Sequence, residues 1–180
     1  IDPDSTTNML VEHSVADVGD NSVAIKSGMD KAGRAFGRPS ANIVFRDSRF
    51  VCETFAVGSE MSGDVFNVTV ENCHFGGNGS DFVGVHLKTR RGRGGAVHGL
   101  RFRDCLFDMT RSTKQPLPFS AAMHYGSYGP GGDVPNKIDT HKPPGNGSCN
   151  DIAWTSAYPQ ITNMQHTYYG DDRLVRRHWP

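Results

Sequence analysis

Four stretches of the chain repeat one alternation of apolar and polar positions. They are Asn8-Met9-Leu10-Val11-Glu12-His13-Ser14, Asn42-Ile43-Val44-Phe45-Arg46-Asp47-Ser48, Asn67-Val68-Thr69-Val70-Glu71-Asn72-Cys73 and Gly99-Leu100-Arg101-Phe102-Arg103-Asp104-Cys105. Each reads small, apolar, variable, apolar, charged, polar, small, and the period of two is that of a β-strand with one face buried. The copies start at residues 8, 42, 67 and 99, at intervals of 34, 25 and 32, and a fainter fifth copy, Asp151-Ile152-Ala153-Trp154-Thr155-Ser156, follows a long loop. A second short strand is expected after each copy, at Val23-Ala24-Ile25-Lys26, Phe55-Ala56-Val57-Gly58, Val83-Gly84-Val85-His86-Leu87-Lys88 and Ala121-Ala122-Met123-His124. One repeat therefore carries at least two strands.

A unit of this kind cannot close a core by itself, and repeats at intervals of 20 to 50 residues indicate a solenoid. Stacked coils, with strands about 4.8 Å apart, bury one inward column per strand. The expected fold is all-β, a right-handed single-stranded parallel β-helix, its hand taken from the general rule for parallel crossovers. Cys73 and Cys105 fall in the column of Ser14 and Ser48, which sets the two thiols on neighbouring coils. Free thiols are expected there in preference to a disulfide, because parallel stacking does not by itself supply the disulfide torsion. Residues 1–112 are read as stacked coils, 113–150 as a Pro/Gly-rich insertion and 151–180 as a terminal coil with a tail.

Composition agrees with this picture. The 21 glycines and 10 prolines among 180 residues suit many turns and exclude a helical bundle. Lysine plus arginine and aspartate plus glutamate balance at 19 each, so no net charge draws the chain to nucleic acid, and no apolar run approaches the ~20 residues of a membrane-spanning helix. The four cysteines and eight histidines show neither C-x-x-C nor H-x-x-x-H spacing, so no metal or other cofactor is expected. Sequons at Asn67, Asn78 and Asn146 fit a secreted glycoprotein. The opening Ile1-Asp2-Pro3-Asp4 has neither an initiator Met nor a signal-type segment, and it reads as the truncated start of a solenoid. The basic run Arg90-Arg91-Gly92-Arg93-Gly94-Gly95 has no aromatic platform beside it. It suits either a polyanionic sugar or a solvated loop.

Five further stretches carry a resemblance: Ile1-Asp2-Pro3-Asp4-Ser5; Val18-Gly19-Asp20-Asn21-Ser22-Val23-Ala24-Ile25-Lys26-Ser27-Gly28; Gly37-Arg38-Pro39-Ser40-Ala41-Asn42-Ile43; Gly58-Ser59-Glu60-Met61-Ser62-Gly63; and His86-Leu87-Lys88-Thr89 running into Gly92-Arg93-Gly94-Gly95. In this order over residues 1 to 110, they resemble the polygalacturonase-like glycoside hydrolases of family 28. The resemblance implies a pectin-lyase-like solenoid, secreted or wall-acting and monomeric, that hydrolyses α-1,4-galacturonosidic links in pectin with inversion. Such chemistry needs one carboxyl to protonate the leaving oxygen and another to activate a water from the opposite face. By the resemblance Asp20 is the general acid, from a Gly-Asp-Asp motif whose second carboxylate is here the amide of Asn21, which cannot accept a proton. A further family aspartate belongs to an Asn-Thr-Asp motif just before the segment that matches Ile1.

His86, Lys88 and Arg93 are the substrate-binding residues that the resemblance implies. His86 replaces the usual arginine of Arg-Ile-Lys, exchanging a permanent bidentate cation for a pH-dependent donor. The usual histidine of a Gly-His-Gly turn corresponds to Cys52 or Glu53. Both changes are similar to a plant-type branch of the family, but Asn21 is not explained in that way. Lys26, at the end of the equivalent strand one coil earlier, reads as a solvated cap, and Glu60 as either a loop hydrogen-bond acceptor or a substitute base. Three functions follow: a pectin hydrolase, a catalytically silent binder of acidic polysaccharide, and a structural β-helix.

Overall fold

The computed structural model describes residues 1–51, 54–76, 83–89, 93–108, 110 and 117–122. Twelve strands and one helix follow in order: β1 (Thr7–Glu12), β2 (Val15–Asp17), β3 (Val23–Ile25), α1 (Asp30–Phe36), β4 (Ser40–Arg46), β5 (Arg49–Val51), β6 (Phe55–Val57), β7 (Val65–Glu71), β8 (His74–Phe75), β9 (Val83–Lys88), β10 (Val97–Arg103), β11 (Leu106–Phe107) and β12 (Leu117–Ala122). They form three parallel sheets ordered β1-β4-β7-β10, β2-β5-β8-β11 and β3-β6-β9-β12. The chain is a parallel β-helix with three strands to a coil, the two that the repeat pattern located and a third between them. The additional strands β2, β5, β8 and β11 are two or three residues long, too short to show any periodicity.

The repeats recognised in the sequence are the strands of the first sheet, in matching register: Met9 pairs with Ile43, Ile43 with Val68 and Val68 with Leu100. Their alternate residues enter a phenylalanine-rich core. Phe50, Phe75 and Phe107 stack through three successive coils, with centroids 5.1 and 4.9 Å apart, while Phe55 meets Phe45, Phe75 and Phe102 edge-on at 5.2, 5.9 and 5.5 Å. Both offset-stacked and edge-to-face contacts suit the ring quadrupole.

Each coil bends within its first strand, at a residue that tolerates left-handed backbone. Asn8, Asn42 and Asn67 have φ of 59°, 56° and 53°, and Gly99 occupies the same place in the fourth coil at 64°. The asparagines also form a ladder, Asn42 Nδ2 donating to Asn8 Oδ1 at 3.1 Å and Asn67 Nδ2 to Asn42 Oδ1 at 2.7 Å. A second corner, at His13, Asp47, Asn72 and Asp104, repeats the left-handed geometry. The residue after it donates to the carbonyl two positions earlier in every coil: Ser14 to Glu12, Ser48 to Arg46, Cys73 to Glu71 and Cys105 to Arg103. Both thiols are free, as expected. Burial pushes the Cys73 thiol up to about 11, and the neighbouring Cys105 adds to the shift, against hydrogen bonds made with the Ser48 and Glu71 backbone.

Helix α1 was not anticipated. It is short and lacks a side-chain N-cap, and its clearest signal is Gly37, a left-handed C-cap whose N–H donates to the Gly33 carbonyl at 2.9 Å, with Pro39 shortly beyond. The last strand also differs from expectation. β12 begins at Leu117, inside the stretch read as an insertion, and pairs along β9 from Leu117↔Val83 to Ala122↔Lys88. Pro118 hides it from a sequence reading, since proline demotes a run to non-strand. The rest of the insertion, the fifth repeat copy and the tail lie outside the described residues, as do Asn78, Asn146, Cys52 and Glu53.

Candidate active site

The third sheet forms the floor of a cleft. Val23, Ile25, Phe55, Val57, Val85 and Leu87 of β3, β6 and β9 point into the core. The residues between them, Ala24, Ala56 and His86, lie side by side on the outer face. One step further along the strands, the same register aligns Lys26, Gly58 and Lys88, with the Gly58 N–H bonded to the Ile25 carbonyl at 2.8 Å. Alanine and glycine leave the floor low while the lysines rise from it. Gly58 has φ of 96°, and a Cβ there would overlap the Lys88 carbonyl oxygen, so only glycine fits this close approach of β6 to β9.

Loops raise walls around this floor to give a cleft of about 240 Å³, lined by Asp2, Asp20, Asn21, Ala24, Lys26, Gly58, Ser59, Glu60 and Lys88. The turn before β3 brings Asp20 and Asn21, and the Asn21 N–H donates to Asp20 Oδ1 at 2.7 Å. Asp20 is therefore both a turn-forming residue and a cleft residue. Lys88 Nζ crosses the cleft to Asn21 Oδ1 at 3.0 Å, linking residues 67 apart in sequence. The opening segment runs beside β3, where the Ala24 and Lys26 N–H groups donate to the Ile1 and Pro3 carbonyls at 3.0 and 2.8 Å. That places Asp2 Oδ2 3.1 Å from Lys26 Nζ. Beyond β6, Ser59 Oγ donates to Glu60 Oε2 at 3.2 Å, and the Glu60 carbonyl accepts the Ser27 N–H at 2.7 Å.

Three carboxylates and two ammonium groups thus surround one cleft. Asp20, Asn21 and Lys88, singled out from sequence, come together in it. Asp2 was missed, and Lys26 was read as a solvated cap. The signal for both was the Asp2-Pro3-Asp4 motif, whose strand-like pairing with β3 no periodicity revealed. His86 stands in the floor column beside Ala56, adjacent to the cleft lining. Burial, aided by the Lys88 charge, pushes its imidazole down to about 4, so it is neutral above that pH.

Arg93 corrects an expectation. Read as part of a basic surface loop reaching for substrate, it is instead fully buried, its Nε 2.8 Å from Asp30 Oδ1 and its Nη1 donating to the Ser59 carbonyl at 2.6 Å. The interleaved glycines of its loop suggest exposure, yet Asp30, which draws the guanidinium inward, lies 63 residues away in sequence and shares no motif with it. Arg90 and Arg91 lie outside the described residues.

Comparison with known proteins gives consistent findings. The sequence signature of the glycosyl hydrolases family 28 matches residues 1–140. A "Probable polygalacturonase" of Vitis vinifera is 37% identical over 133 residues, covering 71% of this chain and 25% of the relative. An "Endo-polygalacturonase" of Pectobacterium carotovorum subsp. carotovorum is 34% identical over 103 residues, covering 57% of this chain and 23% of the relative. The crystal structure of a hyperthermoactive exopolygalacturonase from Thermotoga maritima superimposes with a TM-score of 0.51 at 34% identity, over 57% of this chain and 27% of that one. The chain spans about a quarter of the length of these relatives.

Proposed function

The chain belongs to the glycosyl hydrolases family 28, and on that premise we propose that it is a polygalacturonase-type hydrolase, cutting α-1,4-galacturonosidic bonds of pectin with inversion at the anomeric carbon. The observation that carries this reading is the meeting of Asp20 with Lys26 and Lys88 in one cleft. A galacturonate unit offers a carboxylate for the ammonium groups and hydroxyls for the carboxylates, so each charged group in the cleft has a complement on the sugar. Asp20 supplies the proton to the leaving oxygen, and a second carboxylate takes one from water on the opposite face. Asp2 and Glu60 are the other carboxylates that line the cleft. A wall polysaccharide is met outside the cell, so the protein is proposed to be secreted and to act as a monomer.

One observation favours a second reading, a silent relative that binds acidic polysaccharide. Asn21 cannot accept a proton, and its amide oxygen is held by Lys88. The two readings separate in an assay of reducing ends released from polygalacturonate by wild type and Asp20→Asn, with proton NMR of the first product. Hydrolysis that yields the β-anomer and falls at least about a hundredfold in Asp20→Asn supports the inverting enzyme. Binding without cleavage supports the silent relative, and the absence of both removes the polygalacturonate reading altogether.

A further inference from the structure

We propose that Arg93 is a positioning residue of the cleft: held by Asp30, its guanidinium fixes the Ser59–Glu60 wall and so sets where the Glu60 carboxylate meets the hydroxyls of a bound sugar acid. The inference rests on the sugar-binding reading given above. A fully buried guanidinium is costly unless paired, and Arg93 is the largest side chain in the described core with no exposed surface. Its partners lie on two different elements. Asp30, itself buried, opens α1 and stands 2.8 Å from Nε, while Nη1 donates to the Ser59 carbonyl at 2.6 Å.

The backbone of Arg93 makes further ties. Its carbonyl accepts Ser62 Oγ at 2.7 Å and Arg34 Nη1 at 3.1 Å, so one residue binds the helix, the 59–62 segment and the approach to β10. Ser62 N–H in turn donates to the Gly28 carbonyl at 3.0 Å, which closes the segment against the end of the β3 coil. The wall is thus held at Ser59 by Arg93, at Glu60 by Ser27 and at Ser62 by Gly28 and Arg93. What this framework leaves facing the cleft is the side chain of Glu60, oriented by Ser59 Oγ.

The chemistry calls for arginine in particular. A planar guanidinium can meet a carboxylate along one edge and a carbonyl along another, whereas a lysine ammonium is a single point that cannot reach both. An apolar residue of similar volume would fill the same space at less desolvation cost, so packing alone does not account for the charge. Glu60, once fixed, accepts two sugar hydroxyls while Lys26 and Lys88 take the uronate carboxylate.

Arg93→Lys and Glu60→Gln, singly and together, provide the test. Binding of digalacturonate is measured by calorimetry, and folding is checked by circular dichroism. Each single variant is expected to weaken binding by about tenfold, the loss of one charge-assisted contact, and the double variant to be no weaker than the singles. Wild-type affinity in Arg93→Lys, or losses that multiply in the double variant, would overturn the proposal. A ligand-free readout separates it from the sugar reading: the ¹³C resonance of the Glu60 carboxyl should move in Arg93→Lys, while those of Glu12 and Glu71 stay in place. If that resonance moves but wild type does not bind digalacturonate, the sugar reading fails and the positioning role stands. An unmoved resonance overturns the positioning role. Should Arg93→Lys not fold, Asp30→Glu, which keeps the ion pair but displaces its anchor, must shift the same resonance.

Discussion

Asn21→Asp changes one atom of the cleft and should move turnover and affinity in opposite directions. The side chains are isosteric: the new oxygen takes the place of Nδ2, while the retained Oδ1, now part of a carboxylate, stays 3.0 Å from Lys88 Nζ. At an effective dielectric of ~20 that contact carries about 5 kcal/mol of gross Coulomb attraction. Desolvation and repulsion from Asp20 next to it reduce the net to the order of 1 kcal/mol. The first consequence is a proton acceptor beside Asp20. On the reading in which Asn21 leaves the site without a working base, general-base catalysis contributes about 10²- to 10⁴-fold, and the rate of polygalacturonate hydrolysis should rise by that order. The second is that Lys88 is partly neutralised by its new partner and meets the substrate carboxylate less strongly. About 1 kcal/mol corresponds to a roughly fivefold weaker apparent affinity. Initial rates of reducing-end release across a range of substrate concentrations give both numbers. A rate within about threefold of wild type, or tighter binding in Asn21→Asp, would refute the reasoning about this pair.

Other consequences can be checked with single substitutions. Gly58→Ala, which requires alanine at φ of 96° and overlaps the Lys88 carbonyl, should cost about 2–4 kcal/mol in urea unfolding; a loss below about 1 kcal/mol would mean that β6 and β9 can part freely. His86 is neutral in the folded chain down to about 4, against about 6.5 for an ordinary imidazole, so the unfolded chain binds more protons between these values. Stability should therefore be fully present above about pH 6.5 and fall as the pH drops towards 4, and His86→Gln should flatten that part of the melting-temperature profile. The Cys73 thiol, pushed up to about 11 and buried, should resist iodoacetamide in the native protein at pH 8 and react once urea is added, as read by peptide mass spectrometry.

The solenoid was legible in the sequence because its first sheet repeats a seven-residue alternation with residues of the same kind at each corner. The recurring asparagine marked the repeat, since Asn8, Asn42 and Asn67 share one left-handed bend and one chain of amide bonds. The second sheet was not legible, as strands of two or three residues carry no period. Within the site, Asp20, Asn21 and Lys88 were found because they sit inside local motifs. Asp2 reaches the cleft only through backbone pairing with β3 and an ion pair to Lys26. Arg93 was misread for a related reason: glycine-flanked arginines look exposed, and only the folded helix α1 brings Asp30 to it. Neighbours supplied by other coils decide these cases, and a single-chain pattern does not record them.

On the proposed function, the outer face of the third sheet, between Lys26 and Lys88, holds a galacturonate unit. The most direct test is a titration of the ¹⁵N-labelled protein with digalacturonate, followed by two-dimensional NMR. Saturable shifts are expected, confined to the amides of Asp20, Asn21, Lys26, Gly58, Ser59, Glu60 and Lys88 and abolished in Lys88→Met. Shifts concentrated on the first sheet instead, or unchanged binding in Lys88→Met, would contradict that placement.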